Sequence, residues 1–147
     1  MLKTPLLHPQ ILHALGRAGH SSKILIADGN YPCATKKGPN AEMVFLNLAP
    51  GLLNVTDVLT ALLQSVPVEL AEVMEPQKSG PYAMREDPPI FAEFRQILKA
   101  RKPDLELTKL ERFTFYEAAG TKDVCLTIAT GEQRIYANIL LTIGVVM

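Results

Sequence analysis

Apolar positions in this chain fall into runs of two kinds. "KILIA" (23–27) is a continuous apolar stretch of strand length, the pattern of a strand covered on both faces. "EMVFLNL" (42–48) is a second such run, and "VPVELAEVME" (66–75) alternates well enough to be a third. In "HPQILHALGRAG" (8–19), Ile11, Leu12 and Leu15 recur at helical spacing, with Pro9 suited to a first turn and Gly19 to a stop. "NVTDVLTALLQSV" (54–66) carries a helical stripe of Val55, Val58, Leu59, Leu62 and Leu63, with Asn54 or Thr56 as cap. "PPIFAEFRQILKARKP" (88–103) opens on prolines, buries Ile90, Phe91, Phe94, Ile97 and Leu98, and closes on a basic cluster that suits a helix C-terminus. The C-terminal part holds three strand-like runs, "LELTKLE", "DVCLTIAT" and "ANILLTIGVV", with a short helical turn expected in "RFTFYEAAGTK" between the first two.

Interleaved helices and strands, followed by a strand-rich end, predict an α/β fold in three layers on a mixed sheet. The 147 residues, 48% of them hydrophobic, suit one domain spanning 1–147. Two segments stay without periodicity: residues 28–40, a loop of functional length, and the polar, proline-rich "PQKSGPYAMREDPP". There is no internal repeat.

Composition narrows the partners. Fifteen basic residues balance fifteen acidic ones, so no net field draws the chain to nucleic acid or to an anionic membrane. Pro5, His8, Pro9 and Gln10 interrupt the apolar start, and no run approaches the ~18 apolar residues of a membrane span, so a cytoplasmic protein without a leader is expected. Cys33 and Cys125 form neither a disulfide framework nor a CxxC motif, and His8 and His13, five apart, do not share a helix face as metal ligands would, so no metal site is expected. The glycines of "GRAGHSSK" precede a strand and fit no nucleotide-binding fingerprint.

The remaining chemistry sits at strand ends. "AGHSSKILIADGN" places His20 before the apolar strand and Asp28 after it. Arg112 and Tyr116 lie in "RFTFYE", and Tyr136 and Asn138 in "IYANILL". Taken singly, Asp28-Gly29-Asn30 is a turn, His20 a helix-end residue, and Arg112 with Tyr116 a solvated helix face. Together they offer an imidazole titrating near neutrality, a carboxylate, a guanidinium, two phenols and an amide. That set suits a small polyhydroxylated ligand without phosphate.

"GHSSKILIADGNYP", "RFTFYE" and "TGEQRIYANILLTIGVV", in this order and nearly end to end, resemble the D-ribose pyranase and L-fucose mutarotase family. "RFTFYE" is similar to the fucose mutarotase branch, whereas "YAN" is nearer the pyranase branch. The resemblance implies an α/β/α sandwich on a mixed sheet and an isomerase, without cofactor, that interconverts the ring forms of a free monosaccharide, L-fucose first. It implies His20 as the catalytic residue and Asp28, Arg112, Tyr136 and Asn138 as sugar ligands, with Tyr116 added to them. It also implies a homo-oligomer, a decameric ring in bacterial members, with sites near subunit contacts. On this reading the buried "KILIA" strand holds His20 and Asp28 a fixed distance apart, both facing one pocket that a neighbouring subunit could complete. D-ribose pyranase activity and a non-catalytic monosaccharide-binding module remain the alternatives.

Overall fold

The computed structural model describes residues 1–147. Its elements run α1 (Pro9–Arg17), β1 (Lys23–Ala27), α2 (Cys33–Lys36), β2 (Glu42–Phe45), α3 (Val55–Leu62), β3 (Val68–Met74), α4 (Pro89–Lys99), β4 (Leu107–Leu110), α5 (Arg112–Ala119), β5 (Val124–Ala129) and β6 (Ile139–Ile143). The six strands form one sheet in the order β2-β5-β1-β6-β3-β4. β1 and β2 both lie parallel to β5, and β3 lies parallel to β4. Only β6 runs the other way, between β1 and β3. The mixed α/β sheet expected from the strand-rich C-terminus is therefore present, with β6 as the single antiparallel strand.

The apolar run "KILIA" becomes β1, flanked by β5 and β6, and Ile24, Leu25, Ile26 and Ala27 are completely buried. Helix α1 packs on β5 and β2, α3 on β1 and α4, α4 on β4, and α5 on β3. Truncating Leu25 to Ala in such a core costs about 2–5 kcal/mol. No helix is long and apolar enough to cross a membrane.

Two segments depart from the sequence pattern. The run "EMVFLNL" leaves the sheet after Phe45, because residues 46–53 fold into their own turn: the Leu48 and Leu52 N–H groups bond to the carbonyls of Leu52 (2.9 Å) and Ala49 (2.9 Å). That turn exposes Leu48 and Leu52. It presses on Gly131, where any side chain would overlap the carbonyl oxygens of Ala49 and Leu52. Within the aperiodic 28–40 stretch, Cys33–Lys36 closes into one helical turn, too short to leave a periodic signal.

Candidate active site

Parallel strands end on one rim of the sheet, and the loops there shape most sites in open α/β folds. Asp28 follows β1 directly, and Asn138 immediately precedes the antiparallel neighbour β6, so the sheet register brings them side by side. The backbone N–H of Asp28 donates to Asn138 Oδ1 at 2.8 Å, and Asn138 Nδ2 donates back to Asp28 Oδ2 at 2.9 Å. Both residues are buried. Burial raises the Asp28 pKa above the ordinary carboxylate value, against the lowering effect of the Asn30, Tyr31 and Ala137 N–H groups and the Asn138 amide.

Met74 ends β3 on the same rim. The Leu110 carbonyl, at the end of β4, receives the N–H of Glu75, and Glu111 then caps α5 through bonds from Phe113 N–H (2.8 Å) and Thr114 N–H (3.2 Å). Arg112 is the first residue of α5, where the helix dipole disfavours a cation, and it has no carboxylate partner. Its guanidinium lies 5.7 Å from the centre of the Tyr116 ring, one turn along. A cation held against the dipole and left unpaired is available to a ligand.

These residues enclose a cavity of about 330 Å³ that Asp28, Arg112, Tyr116, Tyr136 and Asn138 all line. Five of the six residues singled out in the sequence therefore meet. Tyr136 enters in a left-handed backbone conformation, φ 61°, just ahead of β6. Such strain in a non-glycine residue persists only where its surroundings enforce it, and it concentrates at functional sites. The Tyr136 hydroxyl is committed to protein partners: it accepts from Gln77 N–H (3.2 Å) and donates to the Tyr82 carbonyl (2.8 Å). Tyr116, half-buried, makes no side-chain hydrogen bond, so its phenol is free to meet a ligand.

His20 is elsewhere, which corrects the expectation of one pocket facing both ends of β1 within a single copy. It precedes β1, whereas Asp28 follows it, and five residues of strand alone span about 16 Å. An extended strand cannot turn both its ends to the same rim. His20 lines a separate polar cavity of about 320 Å³ with Arg17, Ser22, Asn40, Glu42, Lys122 and Asp123. Its Nε2 lies 3.1 Å from both carboxylate oxygens of Glu69, at the start of β3. The next residue, Ser21, is the other non-glycine with positive φ, at 68°.

Several lining residues carried no signal of their own: Asn30, Tyr31, Met74, Gln77, Tyr82 and Ile135. Tyr31 could have been found from its place in "DGNYP", three residues past Asp28 in the same turn. It packs on Tyr116 with ring centres 5.5 Å apart, and burial pushes its phenol pKa well up. Buried Glu132 takes three bonds from Arg134, at 3.1 Å from the backbone N–H, 3.0 Å from Nε and 2.8 Å from Nη2, while Arg134 Nη1 reaches Glu93 on α4 at 2.7 Å. The Glu132 carbonyl also receives the Gly29 N–H (2.8 Å), so this clamp joins the Asp28 turn to the Tyr136 segment.

Comparison with known proteins gives the family and the fold. The sequence profile of the RbsD / FucU transport protein family matches residues 1–146. The chain is 33% identical to human fucose mutarotase over 147 residues, covering 95% of this chain and 90% of that protein. Its structure superposes on fucose mutarotase from Streptococcus pneumoniae in complex with L-fucose with a TM-score of 0.82, at 26% identity and 100% of both chains. Bacillus subtilis RbsD complexed with D-ribose superposes with a TM-score of 0.76, also at 26% identity and full coverage of both chains.

Proposed function

The chain belongs to the RbsD / FucU family, and from that premise we propose that it is an isomerase interconverting the α and β anomers of a free monosaccharide, L-fucose foremost. The observation that carries the reading is the reciprocal Asp28–Asn138 pair beside an unpaired Arg112 in a cavity of about 330 Å³. That volume lies at the small end of ligand pockets, about 300–1,000 Å³. Matched sugar-complexed relatives support a monosaccharide as the occupant.

Anomer exchange needs ring opening. A base takes the proton of the anomeric hydroxyl, an acid protonates the ring oxygen as its bond to C1 breaks, the aldehyde turns about C1–C2, and closure on the other face returns both protons. Each positioned proton-transfer group contributes about 100- to 10,000-fold. In this scheme the Tyr116 phenol, free of other bonds, serves the ring, Arg112 steadies the oxygen on which charge develops, and Asp28 with Asn138 holds the hydroxyls.

His20 supplies the second proton-transfer group from a neighbouring copy of the chain, held in place by Glu69. The opposite-rim placement of His20 and Asp28 supports a homo-oligomer, with a decameric ring as its form. Exposed Phe113 and Ile135 beside the cavity give a second copy apolar surface to cover. A cytoplasmic location accords with the two unpaired cysteines.

Proton exchange spectra of equilibrated L-fucose and D-ribose, with and without protein, test the proposal. Cross-peaks between fucose anomers that need the protein, with ribose slower, support it. Faster ribose exchange shifts the assignment to the pyranase reaction. Saturable binding without faster exchange of either sugar leaves only a binding module.

A further inference from the structure

Between β3 and α4, residues 75–88 form a connection well beyond the usual length of about 4–6 residues. Its ends are fastened. The Glu75 N–H bonds to the Leu110 carbonyl at 2.7 Å, and Asp87 pairs with Arg95 (2.7 Å) and Lys109 (2.9 Å). Its middle folds on itself through Met84 N–H to Gln77 carbonyl (3.1 Å) and Ala83 N–H to Gly80 carbonyl (3.2 Å), with Gly80 at φ 96°. The side chain that joins this middle to the rest of the protein by hydrogen bonds is Tyr136. Its hydroxyl takes the Gln77 N–H and gives its proton to the Tyr82 carbonyl. Tyr136 is itself rigid: it is 8% exposed and precedes the buried Ala137 and Asn138. The segment it grips contributes Gln77 and Tyr82 to the lining of the cavity that holds Asp28 and Asn138.

We propose that the Tyr136 hydroxyl is a latch that fixes residues 75–88 as the outer wall of the sugar cavity, and that Gln77 and Tyr82 on this wall contact the bound sugar. The proposal rests on the reading of the cavity as a monosaccharide site. The Gln77 amide offers a donor and an acceptor to sugar hydroxyls, and the Tyr82 ring, 64% exposed, offers a face to the sugar's C–H surface. Tyr136 is then a positioning residue, whose phenol acts on the sugar through the wall.

Both latch bonds run to backbone atoms, so the two halves of the proposal separate cleanly. Lys78 and Arg85 are exposed trypsin sites on the wall. Tyr136→Phe keeps the ring and removes both bonds, and trypsin should then cut at Lys78 and Arg85 about 5-fold faster or more, with the melting temperature checking that the remainder stays folded. Gln77→Ala and Tyr82→Ala keep the latch and should be cut at the wild-type rate. All three variants should need about 5-fold or more L-fucose for half-maximal anomer exchange, a larger effect than on the saturated rate. L-Fucose should slow cutting of the wild type. Wild-type cutting of Tyr136→Phe would overturn the latch, and wild-type fucose dependence in both Gln77→Ala and Tyr82→Ala would overturn the contact wall. If the wild-type protein neither binds nor exchanges fucose, the mutarotase reading and the sugar contacts fall together, while the cutting rates still decide the latch.

Discussion

Asp28 and Asn138, 110 residues apart in sequence, exchange two hydrogen bonds at the rim where β1 ends and β6 begins. Backbone gives to side chain at 2.8 Å and side chain gives to carboxylate at 2.9 Å, so each residue fixes the other. The pair exists because β6 is antiparallel: a parallel β6 would carry Asn138 to the opposite rim, beside His20.

Asp28→Asn should reduce L-fucose binding at least ~10-fold, since a charged acceptor is lost. Its stability carries a pH signature. Burial raises the folded-state pKa above the ordinary 3.8, so the folded protein holds this proton more tightly than the unfolded chain. Wild-type stability relative to Asp28→Asn should therefore fall as pH rises from below 3.8 through the raised value. Urea titrations of both proteins across that window check this.

Arg112→Ala should weaken fucose binding by about 10- to 100-fold, the loss of one charge-assisted hydrogen bond. Stability should be unchanged or rise by about 0.5 kcal/mol, because the variant removes a cation from a helix N-terminus. Calorimetric binding and thermal melts, read together, separate the two effects.

Tyr116→Phe should lower the saturated exchange rate by about 100-fold or more while half-saturation by fucose moves little. The Tyr116 ring still packs on Tyr31 and under Arg112, so the fold should be kept.

Glu132→Gln should cost on the order of 2 kcal/mol, since it weakens the bonds from Arg134 to a buried carboxylate. Burial alone would raise the Glu132 pKa, but the bonds and charge of Arg134 prevail and hold it below the ordinary value. Its stabilising contribution is therefore complete above pH 4.5 and lost as pH falls through the lowered folded value. The gap between wild type and variant should close in that acid range, as chemical denaturation at successive pH values would record.

Much of the frame was legible because it repeats locally. "KILIA" reads as a strand buried on both faces and is the fully buried β1, and the stripe of Ile90, Phe91, Phe94 and Leu98 reads as a helix and forms the inner side of α4. The cavity was legible where polar residues adjoin strand ends within recognisable motifs, as Asp28, Arg112 and Asn138 do. Gln77 and Tyr82 were not, because their place depends on a hydroxyl 59 and 54 residues away. That His20 and Asp28 line different cavities within one copy was not legible, because adjacency to a strand says nothing about which rim its two ends reach. Glu69, 49 residues away in sequence, becomes a partner of His20 only through the β1–β6–β3 register.

The sharing of one site between two copies is tested most directly by mixing two inactive variants. His20→Ala and Asp28→Asn, each too slow alone at L-fucose well below half-saturation, should regain anomer exchange there after their subunits are unfolded and refolded together, since about a quarter of the sites then pair an intact His20 with an intact Asp28. Recovery toward a quarter of the wild-type rate is the expected result. A mixed assembly that exchanges fucose no faster than its parents, or a His20→Ala protein that is fully active alone, would contradict it.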